Sequence, residues 1–441
     1  PKVPVRGSYT GLNMLPGSAP SPELVIDLVN ITILPVDIDY FEINGLKVTG
    51  GELPVTLPPV INPDDQNYEP VQINLPIPES LKLDLSAPIH IVAVGHITGL
   101  QNEFRVELSG VKMPDSIRTG PLPNQPTIDE VLDQHSFLVQ NPNQTNSLMV
   151  LPGVWDVDGD LILPAGTNLQ VPAGTVLRFA SNSILYASGA VDLLGEPDAP
   201  VLLTAQDTHW GGIIVMDAPN YSHWQYASID KTAGINRSGW TMTGGITFFK
   251  SKISLEHVVL GNNQTEDVIN IIHGTFQFSS SEFINTFADA IDSDFSTGKI
   301  VNCTFTDITG DAVDTSGSKV EVRDTKMSRI TDKGVSAGEE SEIVVTNVEI
   351  DEAGIGVASK DLSQVTISDA VIRKARFSAL AAYIKKPVYG PARIDARGVL
   401  VIDTEKTAVA QIGSIILIDG QKVNTVDLDV DRLYAEGILG N

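Results

Sequence analysis

Five aspartates fall in two short runs of matching pattern, "DAIDSDF" at 289–295 and "GDAVDTSG" at 310–317. Asp289 and Asp292 repeat as Asp311 and Asp314, with Asp294 added to the first run. Like charges set opposite one another across strands destabilise a sheet. Three arrangements resolve the conflict. A hard cation such as calcium can be held by several carboxylate and amide oxygens. One carboxyl can stay protonated and serve as a general acid. Or these are turn aspartates, solvated and tolerated in water.

The elements that must position these residues come from a repeat. Gly245, Asp267, Asp289, Asp311, Lys333, Ile355 and Phe377 are each 22 residues apart. Two positions on lie Thr247, Ile269, Ile291, Val313, Val335, Val357 and Ala379, a nearly apolar column. A β-type sequence of this period, whose turns bury a core only by stacking, predicts a right-handed parallel β-helix. The Leu-x-x-Leu-x-Leu frame of a leucine-rich repeat is missing.

Equivalent residues on successive turns then lie about 4.8 Å apart, and i and i+2 share a face. With Ile291 and Val313 inward, Asp292 and Asp314 point outward on adjacent rungs. Asp294 shares their face, and Asn270 lies one rung above Asp292. Asn270, Asp292, Asp294 and Asp314 form the expected oxygen-ligand set for a cation. Lys360 falls in the column of Asp294, three turns on, with Lys250 on the other side. Lys333 takes the aspartate position after Asp311, and Glu339 and Glu340 sit beside it. Tyr383, Lys385, Lys386 and Tyr389 bring aromatic and cationic groups to the next rung, as a substrate subsite or as a loop closing the helix. Trp240 is a candidate for stacking on a sugar ring, whereas Trp210 reads as packing. His273 is the one histidine near the acidic patch.

Before the repeats, alternation marks half-buried strands: Leu24, Ile26, Leu28; Val71, Ile73, Leu75, Ile77; and Leu81, Leu83, Leu85. Residues 1–115 therefore read as an antiparallel β-sandwich, residues 116–129 as a proline-rich linker, and residues 130–441 as the β-helix. The stretch "LVNITILPVDIDYFEINGL" resembles the late-embryogenesis-abundant water-stress module, which implies a structural role. "GVWDVDGDLILPAGTNLQVPAGTVLRFASNSILYASGAVDLLG" and "PVLLTAQDTHWGGIIV" resemble the opening turns of pectate-lyase-like β-helix proteins. That superfamily hosts lyases, hydrolases, epimerases and inert surface proteins, so the resemblance is specific for fold rather than reaction.

The resemblance implies an acidic, uronic-acid-containing polysaccharide as partner and a secreted, periplasmic or cell-surface location. It also implies β-elimination: calcium or acidic residues (Asp292, Asp294, Asp314, Asn270) neutralise the uronate carboxyl, and Lys360 or Lys333 takes the α-proton. No arginine stands at the expected rung. An inverting glycoside hydrolase using Asp292, Asp294 and Asp314, and a calcium-stabilised surface scaffold without activity, stay open beside the lyase.

Composition bounds these readings. There are 55 acidic and 29 basic residues, a formal charge of −26. That field excludes nucleic acid and anionic membrane as favoured partners. No apolar run is long enough to span a bilayer. Cys303 is the single cysteine, which excludes an internal disulfide and reads as a small buried hydrophobe. The chain opens at Pro1 without methionine, as a processed or trimmed piece would, and is expected to be a monomer.

Overall fold

A computed structural model describes residues 5–13, 23–32, 34–51, 53–59, 70–77, 81, 90–110, 126–142, 144, 146–237 and 240–439. The chain divides into two compact units, Pro1–Ile117 and Arg118–Asn441. Most of the expected linker and Leu83 and Leu85 lie outside the described residues.

In the first unit, alternating residues build an eight-stranded sheet, antiparallel except for the pairing of Val5–Asn13 with Glu103–Gly110. Leu24, Ile26 and Leu28 share one core with Ile73, Leu75, Ile91 and Leu108.

Among the described residues the second unit is a β-helix of three sheets with 14, 11 and 12 strands, parallel except at the two edges of the first, where Leu138–Gln140 and Gln421–Lys422 pair antiparallel. The helix Ile128–Gln134, opened by a capping box between Thr127 and Glu130, starts the unit. Its Val131 joins the core, along with Phe137 and Leu138. Inside, like stacks on like: Phe283 and Phe305 lie with ring centroids 4.7 Å apart and planes within 4°. A serine column satisfies buried backbone at one corner. Ser296 N–H donates to Ser318 Oγ, Ser318 N–H to Ser341 Oγ and Ser341 N–H to Ser363 Oγ, at 2.9–3.1 Å.

The 12-stranded sheet positions the acidic runs. Ile269, Ile291, Val313, Val335 and Val357 pair in register and point into the core. The 22-residue step holds across these turns. It becomes 23 residues at both ends, where Gly244 pairs with Asp267 and Ile355 with Ser378. Ile246, not Thr247, therefore lines up with Ile269, and Leu380, not Ala379, with Val357. Side chains alternate along a strand, so a slip of one residue exchanges the two faces.

Two expected positions in the outward column are corrected by this slip. Phe249, rather than Lys250, precedes Ile272 and Asp294 in the outward column. Lys250 is the corner residue, at φ 46°, with its ammonium 5.2 Å from the Phe249 ring centre. Tyr383 follows Lys360, where a further step of 22 residues would put Ala382.

Candidate functional site: an acidic wall between two apolar covers

The outer face of the 12-stranded sheet is not uniform. At its N-terminal end, Ile184, Tyr186 and Ile214 are buried with Ile235 and Met242. These last two come from the hairpin Ile235–Arg237/Trp240–Met242, which makes the face a second core there. Trp240 pairs in that hairpin with Arg237. At the C-terminal end, Ile355, Ala358, Ala381 and Tyr383 are buried with Val430 and Leu433 of the helix Val430–Ala435. Between the covers the outward columns read Asn270, Asp292, Asp314, Ser336 and Ile272, Asp294, Ser316, Gly338.

Within this window the side chains interlock. Asn270 Nδ2 donates to Asp292 Oδ2 at 3.0 Å and to Asp267 Oδ2 at 3.3 Å. Asp289 Oδ1 accepts the Asp311 N–H at 2.7 Å, and Asp311 Oδ1 accepts the Lys333 N–H at 2.8 Å. Gly310 makes room for this ladder: a Cβ there would fall 1.9 Å from Asp289 Oδ1. Asp267 and Asp311 are buried, so the aspartates at the strand starts belong to the cluster.

The two expected bases are ion-paired. Lys333 Nζ lies 2.6 Å from Asp332 Oδ2 and 3.4 Å from Asp311 Oδ1. Lys360 reaches back along the axis, its Nζ 3.6 Å from Asp314 Oδ1. Gly338 lies beside that path, and its missing Cβ would stand 3.5 Å from Lys360 Cε. Lys360 is 5% exposed, yet Asp314 keeps 26% of its side-chain surface open. Burial opposes the charge on Lys360, but Asp314 foremost raises its pKa above the usual lysine value. At Lys333 burial is likewise outweighed, chiefly by Asp311.

The carboxyls diverge. Burial, then Asp311 and Asp314, push Asp289 up to about 9. Burial, reinforced by Asp267, Asp294 and Asp314, holds Asp292 well above the ordinary carboxylate range. Burial with Glu266 raises Asp267 to about 7, and burial opposed by Lys333 leaves Asp311 at about 7. Burial, Asp314 and Glu339 take Asp294 to about 6. Asp314 goes the other way: burial works to raise it, but Lys360 and then Lys333 bring it below its usual value. One wall thus carries, one rung apart, a carboxyl whose surroundings favour the proton and one whose surroundings favour the charge.

One oxygen from each of Asp289, Asp311 and Asp314 falls within 4.8 Å of the others. A hard cation takes such donors. Of the four expected ligands only Asp314 belongs to this trio, and two ammonium groups already lie against Asp311 and Asp314.

The remaining expected residues lie around the C-terminal cover. Tyr383, expected to bind substrate, is fully buried, its hydroxyl 2.9 Å from that of Tyr434. The helix lies over it, so it offers no surface to a ligand. Lys385 is exposed, its ammonium 4.7 Å from the Tyr434 ring centre. Lys386 pairs with Glu339. Tyr389 is half-buried in the same loop, its N–H donating to Lys386 O at 3.0 Å. Trp210 is buried and stacked on Phe179 at 4.2 Å. Cys303 is buried, its thiol pushed up to about 11. Tyr434 and the helix that carries it escaped the sequence reading, because six residues give too short a periodic signal. A cavity of about 580 Å³ beside that helix, lined by Phe377, Lys406, Arg432 and others, includes none of the wall aspartates.

A family model described as right handed beta helix region matches residues 242–406, the turns that carry the wall. No curated protein matches the chain. Among solved structures, the catalytic domain of a GH87 alpha-1,3-glucanase in complex with tetrasaccharides is 12% identical, covering 95% of this chain and 98% of that one at TM-score 0.33. An alginate lyase from Paenibacillus sp. str. FPU-7 is 12% identical, covering 53% and 93% at TM-score 0.27. PfbA, a surface adhesin of Streptococcus pneumoniae, is 10% identical, covering 68% and 91% at TM-score 0.35. The chain carries a right-handed β-helix, preceded in sequence by a mostly antiparallel β unit. No helix among the described residues is long and apolar enough to cross a membrane.

Proposed function

We propose that the wall is a carbohydrate-active site that hydrolyses a glycan chain by carboxyl acid–base chemistry. The observation that carries the reading is the pairing of Asp292 and Asp314 on adjacent rungs in surroundings that push their pKa values in opposite directions. Environments that drive paired titratable groups apart are how acid and base roles are assigned at one pH. Asp292, whose proton is held by burial and by the neighbouring aspartates, is the general acid that protonates the leaving glycosidic oxygen. Asp294, ionised at neutral pH, is the base that takes a proton from the attacking water. Residues i and i+2 on a strand lie about 6.6 Å apart, at the lower end of the roughly 6.5–9.5 Å used for inversion. Asp314, held ionised by Lys360, stabilises positive charge developing at the anomeric carbon and disfavours ionisation of Asp292.

The lysines favour hydrolysis over β-elimination. A base for the α-proton of a uronate must be neutral, and Lys333 and Lys360 are buried against aspartates that keep them charged. If calcium binds, Asp289, Asp311 and Asp314 would hold it, and it would add positive charge for an anionic sugar. The test is incubation with neutral and uronate polysaccharides. Reducing ends should appear without the ultraviolet absorbance of an unsaturated product, and not with Asp292→Asn. Unsaturated product would restore the lyase, and no product from any polymer would leave a binding wall.

A further inference from the structure

The protein has 13 phenylalanines. Among the described residues only Phe287 and Phe295 are exposed, at 62% and 59%. Both belong to one turn. They stand at either end of the strand Asp289–Asp294, which carries Asp289, Asp292 and Asp294. Elsewhere the phenylalanines are buried or half-buried. Leaving two large rings in water forgoes the burial that holds the other turns together.

Neither ring hangs on a loose segment. Phe295 is a corner residue at φ 48°, and its N–H donates to Ser316 O at 2.8 Å. His273 of the preceding turn stacks against it at 5.2 Å, with planes 19° apart. Gly317 of the next turn leaves the space the ring leans over: a Cβ there would lie 2.6 Å from Phe295 Cδ1. Phe287 N–H donates to Asn263 Oδ1 at 3.2 Å, which fixes the opposite lip.

The ground between the rings decides what they bind. A protein interface sheds charge at its centre, whereas here the centre is a row of carboxyls. A purely apolar ligand is excluded for the same reason. A pyranose ring is amphipathic, with C–H groups on its faces and hydroxyls around its edge. Aromatic lips for the first and carboxyl and amide oxygens for the second match that pattern.

We propose that Phe287 and Phe295 are sugar-contacting subsites on either side of the carboxyl cluster, so that the wall takes an internal stretch of a glycan running along the strand direction. This rests on the glycan reading of the wall and adds to it. The strand between the rings spans about 17 Å, at roughly 3.3 Å per residue, more than one sugar ring. The substrate is therefore a chain rather than a disaccharide.

The test measures binding apart from turnover. The full chain carrying Asp292→Asn is titrated against hexasaccharides from neutral, uronate and sulfated glycans, with and without Phe287→Ala or Phe295→Ala. Each phenylalanine variant should weaken the affinity at least tenfold for the hexasaccharide that binds, and have little effect on the matching disaccharide. Melting temperatures should stay within about 2 °C, since exposed positions contribute little to stability. Unchanged affinity in both variants would overturn the lips while leaving the carboxyl chemistry standing. Loss of affinity with no turnover by the chain that retains Asp292 would support the lips and overturn the chemistry. Binding to none of the hexasaccharides would overturn both.

Discussion

The 12-stranded sheet has one backbone and three kinds of outer face. Under the hairpin it presents Ile184, Tyr186 and Ile214; under the C-terminal helix it presents Ile355, Ala358, Ala381 and Tyr383. In the open turns the same outward positions hold Asn270, Asp292, Asp294 and Asp314. The inward residues do not change character along the way: Ile246, Ile269, Ile291, Val313, Val335, Val357 and Leu380 are all in one core. Stability therefore explains the inner column everywhere and the outer column only where something covers it. In the uncovered stretch, stacked carboxyls act against the sheet when charged, and raised pKa values at Asp289 and Asp292 together with pairing to Lys333 and Lys360 oppose that cost.

The largest way to break the contrast is to remove a wall carboxyl. Asp292→Asn and Asp294→Asn should each lower kcat by about 10²–10⁴-fold, the range for a lost acid or base. Melting should hardly change for Asp292→Asn, because burial and the neighbouring aspartates already favour the uncharged carboxyl. A melting drop as large as that of a core deletion would give the wall a structural role. Lys360→Met comes next. It leaves Asp314 partly buried without its ammonium partner and should cost about 3 kcal/mol, the lower end for a broken buried pair, read by denaturant unfolding. A loss below about 1 kcal/mol would make the pair a surface contact. Leu433→Ala in the C-terminal cover should cost about 2 kcal/mol from lost apolar burial. It should raise hydrogen exchange in Ser378–Tyr383 and leave Asp289–Asp294 protected.

Smaller again is the pH dependence of stability. Asp289, Asp292 and Asp311 bind protons more tightly in the folded chain than in the unfolded one. Their contribution is complete below the unfolded value of 3.8 and is lost as pH rises, for Asp311 through about 7 and for Asp289 through about 9. Asp314 has the opposite sign and loses its contribution as pH falls below 3.8. Melting temperature should fall from pH 5 to pH 9, and Asp289→Asn should flatten the fall. A curve rising over that range would contradict the burial of these groups. Lys250→Ala, at a corner outside the columns, should change stability by less than about 0.5 kcal/mol and leave activity alone.

Much of this contrast was legible in the chain. The 22-residue step placed Asn270, Asp292, Asp294 and Asp314 on one outer wall because those turns have no insertion. It failed at Lys250 and Ala382, where one added residue per turn reverses the faces, and a fixed period cannot register that. The covers were not legible. The hairpin around Trp240 and the six-residue helix carrying Tyr434 are too short to announce themselves, and only tertiary packing shows that they close the two ends. The pairing of Lys360 with Asp314 was hidden for a related reason. Their backbones are two rungs apart, and the contact depends on a long side chain passing Gly338.

The most direct test of the account is a pH titration of the aspartate side-chain carboxyls by carbon-13 nuclear magnetic resonance, with Asp292 and Asp314 assigned from their asparagine variants. Asp314 should ionise below 3.8 and Asp292 well above it. If both titrate together near 3.8, the wall has no built-in acid and the proposed chemistry falls.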